Sequence, residues 1–310
     1  MNIAEELAAF TPEKDTLLTI GVFDGVHLGH RRLIAELVDQ AARKRLLAGV
    51  VTFRQHPEDR LSGGRKLPFL TDITTRTRLL QEAGVDFIVP LSFTTALAGM
   101  DARRFVTFLQ KDLKMRGLVV GPDFALGKGR EGDIETLQKL STAMGFTLTI
   151  VPPLEINDEV VSSTTIRKAM ADGDMKKVYA LTGRYFTLHG KVVTGAGRGE
   201  GLGFPTANLG ISSGQALPPD GVYAGLAHVN GRVYQAMTNV GRSPTFGNTR
   251  RTIESYLIDY SGDLYGRELS VDFVARLRDE IKFKNAGELK KQLAEDVKKG
   301  RIILESAGID

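Results

Sequence analysis

Two histidines three residues apart, set among glycines, carry the strongest chemical signal in the chain: Gly21-Val-Phe-Asp-Gly-Val-His-Leu-Gly-His30. Gly21, Gly25 and Gly29 let a ligand approach the backbone, and His27 and His30 open a helix-length segment. The free N–H groups and positive dipole end of a helix attract phosphate there. Two imidazoles at that point can donate hydrogen bonds to a phosphoryl group as its charge develops. Zinc ligation is a poor alternative, because the chain has no cysteine and no third histidine close by. A purely structural turn is the other alternative.

Three further segments suit the same chemistry. Gly121-Pro-Asp-Phe-Ala-Leu-Gly-Lys-Gly-Arg-Glu-Gly132 combines glycines with Lys128 and Arg130. It is not a P-loop, since Gly129 stands where Ser or Thr would hold magnesium. Ser162-Ser-Thr-Thr-Ile-Arg167 opens a helix and puts Arg167 in its first turns, although alone it reads equally well as an ordinary cap. Thr52-Phe-Arg-Gln-His-Pro57 ends a strand and offers His56 as a weaker candidate.

A second centre lies further along. Gly195-Ala-Gly-Arg-Gly-Glu-Gly-Leu-Gly-Phe-Pro-Thr-Ala-Asn208 is a glycine loop able to wrap phosphates with backbone N–H groups. Thr206 and Asn208 supply hard oxygens of the kind Mg²⁺ shares with substrate phosphates. A plain glycine-rich hairpin loop remains the alternative. Glu254 alternates onto one strand face with Tyr256, Ile258 and Tyr260. It is either a solvated strand residue or a base held in a pocket, and the pattern alone does not decide.

The elements that must position these groups change character near residue 184. Up to about 150, the apolar runs 17–23, 46–53, 85–91, 117–121 and 146–152 alternate with amphipathic segments at 31–45, 102–115 and 133–145. Continuous apolar strands alternating with helices predict a doubly wound α/β domain with a parallel sheet. Two short helices are expected at 163–171 and 174–182. Beyond them, strand-like segments at 185–193, 221–229, 232–240, 252–260 and 268–277 alternate apolar with polar. Asn230-Gly231 marks a hairpin, and Tyr260–Leu264 marks another turn. A closing helix over 286–299 carries Leu289, Leu293 and Val297 on one face. This half is predicted to be an antiparallel barrel or sandwich with a C-terminal helix. The boundary is placed between residues 1–184 and 185–310.

In the first half, G-x-F-D-G-x-H-x-G-H, T-F-x-x-H-P, G-x-D-F-x-x-G and S-S-T-x-I-R, in this order, resemble the flavin adenylyltransferase module of bacterial bifunctional riboflavin kinase/FAD synthetases. In the second, the runs 202–208, 217–225, 239–247, 254–266 and 278–283 resemble the riboflavin kinase module, whose fold is a six-stranded barrel. The resemblance implies an enzyme that phosphorylates riboflavin to FMN and adenylylates FMN to FAD, with Mg²⁺ and ATP. It implies that His27 and His30 hold ATP phosphates, with Gly21, Phe23, Asp24, Gly25, Ser162, Ser163 and Thr164 around them. Arg167 would neutralise pyrophosphate, and Asp123, Phe124 and Arg130 would lie on the flavin side. In the barrel it implies Glu254 as general base, Thr206 and Asn208 as Mg–ATP ligands, Arg198, Gly203 and Pro205 in the phosphate loop, and Arg278 near the flavin ring. The chain departs from the family pattern at Arg54-Gln55, Leu126, Glu200 and Ser255-Tyr256. The departures at Arg54, Gln55 and Glu200 motivate one rival, a chain with a single working module; a flavin or nucleotide sensor without turnover is a second, from a different class.

The composition agrees. In 310 residues, Lys+Arg 41 against Asp+Glu 37 gives a net charge of +4, shared evenly by the two halves, which argues against nucleic acid as partner. No apolar run approaches a membrane span. Absence of cysteine excludes thiolate chemistry, and the acidic start MNIAEELAAF is not that of a secretory leader. A cytoplasmic location is expected; oligomeric state is not encoded in any pattern here.

Overall fold

The computed structural model describes residues 3–56, 67–195, 199–212, 214–242 and 251–308. Arg198 lies outside them, as do Pro57, Ser243–Gly247 and the side chain of Glu200. The chain divides into two compact units, Met1–Ser163 and Thr164–Asp310.

The first unit is a five-stranded parallel sheet of β1 (Thr16–Ile20), β2 (Leu47–Phe53), β3 (Phe87–Leu91), β4 (Met115–Val120) and β5 (Thr147–Ile150). Its order is β3-β2-β1-β4-β5. Helices α1 (Ile3–Ala8), α2 (Leu28–Lys44), α3 (Ile73–Glu82), α4 (Thr95–Ala98), α5 (Ala102–Asp112) and α6 (Ile134–Met144) accompany it. Successive strand residues enter opposite layers. Leu17, Val50 and Val119 pack with Ile34 and Leu37 of α2 and Leu80 of α3, whereas Leu18, Val51 and Val120 pack with Phe105 and Leu109 of α5 and Leu137 of α6. Both faces are therefore covered, as the continuous apolar runs predict. The strand order reverses between β1 and β4, and ligands of such sheets bind beyond the carboxyl ends at that switch. The segments 21–30 and 121–132 leave from those two strands.

A two-residue ladder, β6 (Glu155–Ile156) with β7 (Glu159–Val160), precedes α7 (Ser163–Ala171) and α8 (Met175–Thr182). Of these, α8 packs on the barrel of the second unit. That barrel is closed, with β8 (Phe186–Val193), β9 (Ala207–Gly210), β10 (Gly221–Val229), β11 (Arg232–Arg242), β12 (Arg251–Leu257) and β13 (Glu268–Arg278) in the order β10-β11-β12-β9-β8-β13. This resolves the barrel-or-sandwich alternative. Asn230 and Gly231 both have positive φ, 52° and 74°, as a two-residue hairpin turn requires.

The closing helix α9 (Ala286–Ser306) runs two turns beyond the predicted end. Gly300 is not a stop: a Cβ there would lie 2.2 Å from Met237 Cε, so the glycine lets the helix press onto β11. Leu304 then completes a small core with Ala224, Met237, Ile258 and Val274.

Candidate active sites

At the first site, His27 caps α2, its Nδ1 accepting from the His30 backbone N–H at 3.2 Å. An Nδ1 acting as acceptor leaves the ring proton on Nε2. The two imidazoles stack with centroids 3.6 Å apart, and Phe23 meets His30 edge-on at 5.1 Å. Gly29 has no room for a side chain, since a Cβ would stand 3.0 Å from the Val161 carbonyl and 3.1 Å from His27 Nδ1. Gly25, at φ 81°, holds the turn, with Leu70 packed against it. The Phe23 ring covers Gly21.

Asp24 is buried, and its carboxylate accepts from the backbone N–H groups of Leu70 and Thr71 at 3.0 and 3.2 Å. Its carbonyl accepts from Ser163 Oγ at 2.9 Å. Asp24 thus fastens the turn at residues 21–25 to two distant segments. Ser162 precedes α7, Thr164 is exposed on it, and Arg167 is half-buried one turn along.

His30 is pushed well below the ordinary imidazole range, by burial first and then by His27 and Arg76. The ring is therefore neutral near pH 7, and its Nδ1 is a buried atom with no hydrogen-bond partner among the described residues. The unfolded chain takes up a proton below about pH 6.5 that folded His30 does not. Stability of this unit therefore rises with pH up to about 6.5 and is complete above it. Melting curves from pH 5 to 8 are expected to fall more steeply on the acid side for the native chain than for His30→Gln.

Arg76, which no sequence motif singled out, is wholly buried. Its Nη1 donates to the carbonyls of Val22 at 3.0 Å and Phe53 at 2.9 Å, its Nη2 to that of Thr71 at 3.3 Å, and the guanidinium lies 4.4 Å from the Phe69 ring centroid. One cation therefore ties the ends of β1 and β2 to the start of α3. Burial lowers its pKa, opposed by Asp24 and Asp72.

On the loop after β4, Arg130 Nη2 donates to the Asp123 carbonyl at 2.7 Å, and Leu126 and Gly132 pair to close the loop. Phe124 rests against the sheet core. Gln55, one of the departures, accepts from the Phe93 N–H at 3.2 Å and so has a structural task.

The second site is a cavity of about 600 Å³ between the barrel wall and α9. Strand register makes one row across five strands: Arg278 opposite Val222, Val222 opposite Asn239, Asn239 opposite Glu254, and Glu254 opposite Asn208. Directly opposed residues share a face, so these side chains stand side by side. Ile253, Ser255 and Leu257 are buried on the other face, while Glu254 and Tyr256 line the cavity with Thr206, Phe204, Leu289, Leu293 and Val297. Glu254 therefore lines a cavity. Leu289, Leu293 and Val297, the apolar stripe of the closing helix, form one wall of the cavity.

Arg278 also holds the helix in place. Its Nε and Nη2 donate to Asp296, the latter at 2.6 Å, and Gln292 Nε2 donates to the same carboxylate at 3.0 Å. Gly203, at φ 84°, and Pro205 lie on the stretch leading to Thr206. The glycine loop has a close approach at Gly195, where a Cβ would sit 1.9 Å from Asn208 Nδ2. Gly195→Ala must displace that amide. On the activities that the sequence resemblance implies, it is expected to lower riboflavin phosphorylation by tenfold or more, roughly one lost hydrogen-bonded contact, and to leave FAD formation from FMN unchanged, checked by assaying the two steps separately.

A doubly wound sheet with a histidine-capped helix at its switch point, joined to a barrel with a carboxylate-bearing cavity, defines a two-module phosphoryl- and nucleotidyl-transfer enzyme. The FAD synthetase family matches residues 10–165 and the riboflavin kinase family residues 182–304. The chain is 35% identical over 287 residues to the bifunctional riboflavin kinase/FMN adenylyltransferase of Escherichia coli K12, covering 92% of this chain and 91% of that one. Identity to the Bacillus subtilis 168 protein of the same name is 33%, covering 91% and 90%. A Streptococcus pneumoniae crystal structure described as a macrolide-efflux protein superposes with TM-score 0.85 at 30% identity, covering 94% and 95%. The chain belongs to the bifunctional riboflavin kinase/FMN adenylyltransferase family, and it carries both enzyme modules.

Proposed function

We propose that the barrel cavity phosphorylates riboflavin with Mg–ATP and that the sheet edge transfers AMP from a second ATP to the resulting FMN. Functionally the modules divide at residues 1–184 and 185–310, which assigns Ser162–Arg167 to adenylyl transfer. The family matches leave residues 166–181 between them.

In the barrel, Glu254 takes the proton from the riboflavin 5′-hydroxyl as that oxygen attacks the ATP γ-phosphorus. The observation that supports this most is the row in which Glu254 stands between Asn208 on one side and Asn239 and Arg278 on the other. Thr206 and Asn208 would hold Mg²⁺. Their hydroxyl and amide oxygens suit it, and no group of three His, Cys, Asp or Glu among the described residues could make a protein cage. That fits an ion shared with substrate phosphates. When bound, it neutralises phosphate charge. Arg278 and the α9 wall hold the flavin ring, and Arg198, Gly203 and Pro205 shape the phosphate loop.

At the sheet edge, catalysis is positioning plus charge stabilisation, with no covalent enzyme intermediate. The FMN phosphate attacks the ATP α-phosphorus and pyrophosphate leaves. His27 and His30 donate hydrogen bonds to the phosphates at the α2 N-terminus, where Gly21, Phe23, Asp24 and Gly25 give the turn its shape. Neutral His30 has one N–H to give. Ser162, Ser163 and Thr164 serve the phosphates, Arg167 the leaving pyrophosphate, and Asp123, Phe124 and Arg130 the flavin side. The substrates are thus small molecules, and the location is cytoplasmic. An efflux role is not adopted, since no helix among the described residues is long and apolar enough to cross a membrane. Incubation with riboflavin, ATP and Mg²⁺, followed by chromatography, should show FMN and then FAD; FMN without FAD would favour a single working module, and neither would favour a sensor.

A further inference from the structure

The kinase cavity contains a polar pair that the reaction above does not use. Asn239 faces Glu254 directly across β11 and β12, one strand spacing away, about 4.8 Å. Its Nδ2 donates to Glu280 Oε1 at 3.3 Å, its only hydrogen bond among the described residues. The amide oxygen and the second N–H are left over. Glu280 forms no ion pair among the described residues, although Lys282 lines the same cavity. The carboxylate reaches Asn239 because the next residue on that strand face is Gly241: a Cβ there would stand 1.9 Å from Glu280 Oε1 and 2.6 Å from its Cδ. A glycine inside a strand costs stability, and here, one residue before the end of β11, it provides the bed for a carboxylate. The fold thus sets a row of hydrogen-bond acceptors, the Asn239 carbonyl and the Glu280 carboxylate, beside the base and toward the Arg278 end of the cavity.

We propose that Asn239 and Glu280 form a polyol-recognition pair that grips hydroxyls neighbouring the one phosphorylated, and so aligns the reacting oxygen with Glu254. The inference rests on the reading of Glu254 as base and of riboflavin as acceptor. A ribityl chain has a hydroxyl on each neighbouring carbon. With the 5′-hydroxyl at Glu254, one two carbons away falls about one strand spacing along the row, where the acceptors lie. Hydroxyls donate to such acceptors. Glu280 is exposed and Asn239 half-buried in the free cavity, so a substrate lacking one of these hydroxyls forfeits one hydrogen bond to a carboxylate or amide. Asn239 and Glu280 are positioning residues: neither moves a proton.

The test compares riboflavin with its 3′- and 4′-deoxyribityl analogues in the native chain, Asn239→Ala and Glu280→Gln, with Glu254→Gln as control. The native enzyme is expected to prefer riboflavin over at least one analogue by about tenfold or more in kcat/KM, the value of one well-made hydrogen bond. In Asn239→Ala and Glu280→Gln that preference falls below about threefold, because the riboflavin KM rises while the KM for ATP stays near native. A role in folding alone would not erase a preference between two substrates. If both variants keep the native preference, or if the ATP KM rises in step with that of riboflavin, the pair does not read the polyol. Glu254→Gln separates the two claims. Full phosphorylation by that variant removes the base assignment on which the pair depends, whereas an inactive Glu254→Gln beside unchanged preferences sinks the polyol pair alone.

Discussion

Glu254→Gln is expected to lower riboflavin phosphorylation by about 10²–10⁴-fold, the range removed with a general base, while FAD formation from supplied FMN stays native. Glutamine keeps the shape of the side chain and its place in the row between Asn208 and Asn239, but it cannot accept a proton at neutral pH. The effect should fall on kcat with little change in the KM for ATP, since Thr206 and the glycine loop remain. A merely structural Glu254 would instead lower thermal stability and spare turnover in the folded fraction. Rates and melting curves on the same preparation distinguish the two.

The second large effect concerns stability. Arg76→Met keeps most of the volume of a wholly buried side chain but leaves the carbonyls of Val22, Phe53 and Thr71, buried in whole or in part, without their donor. Asp24 and Asp72 lose the cation that offsets them. Breaking such a buried arrangement from one side costs about 3–5 kcal/mol, a large share of what a domain of this size possesses. Denaturant unfolding is expected to show an early transition for the first unit and an unshifted one for the barrel. FAD formation should disappear with that early transition, and riboflavin phosphorylation should persist. Arg76→Lys is expected to recover part of the loss, because one ammonium can serve some of the three carbonyls.

These two residues also show how far the amino-acid sequence carries. Glu254 was visible as a strand residue sharing a face with Tyr256, Ile258 and Tyr260, but its pocket depends on a helix more than thirty residues later. Periodicity locates the face and not what covers it. Arg76 sits in ITTRTRLLQE, a helix with no clear apolar stripe, so neither α3 nor its buried cation was foreseen. A polar-looking helix is legible only once three carbonyls are seen to converge on one side chain. Strands β1 to β4 were readable because strands covered on both faces are largely apolar along their length, and the exposed edge strand β5 only as a short apolar run. The barrel strands were readable by alternation, save β9, whose four residues are too few to alternate convincingly. Gly300 and Gly241 mark contacts that periodicity does not reveal. A glycine that looks like an end or a flaw in an element proves to be a point of close approach, which requires knowing the partner, Met237 in one case and Glu280 in the other.

The central claim is that one chain runs two successive reactions at two separate sites. The most direct measurement gives the His27→Ala/His30→Ala double variant riboflavin, ATP and Mg²⁺ and follows FMN and FAD by chromatography, beside Glu254→Gln given riboflavin or FMN. The histidine variant is expected to accumulate FMN and make no FAD, and Glu254→Gln to make nothing from riboflavin yet convert FMN to FAD. FAD formation at near the native rate without the two histidines, or loss of both steps in either variant, would contradict it.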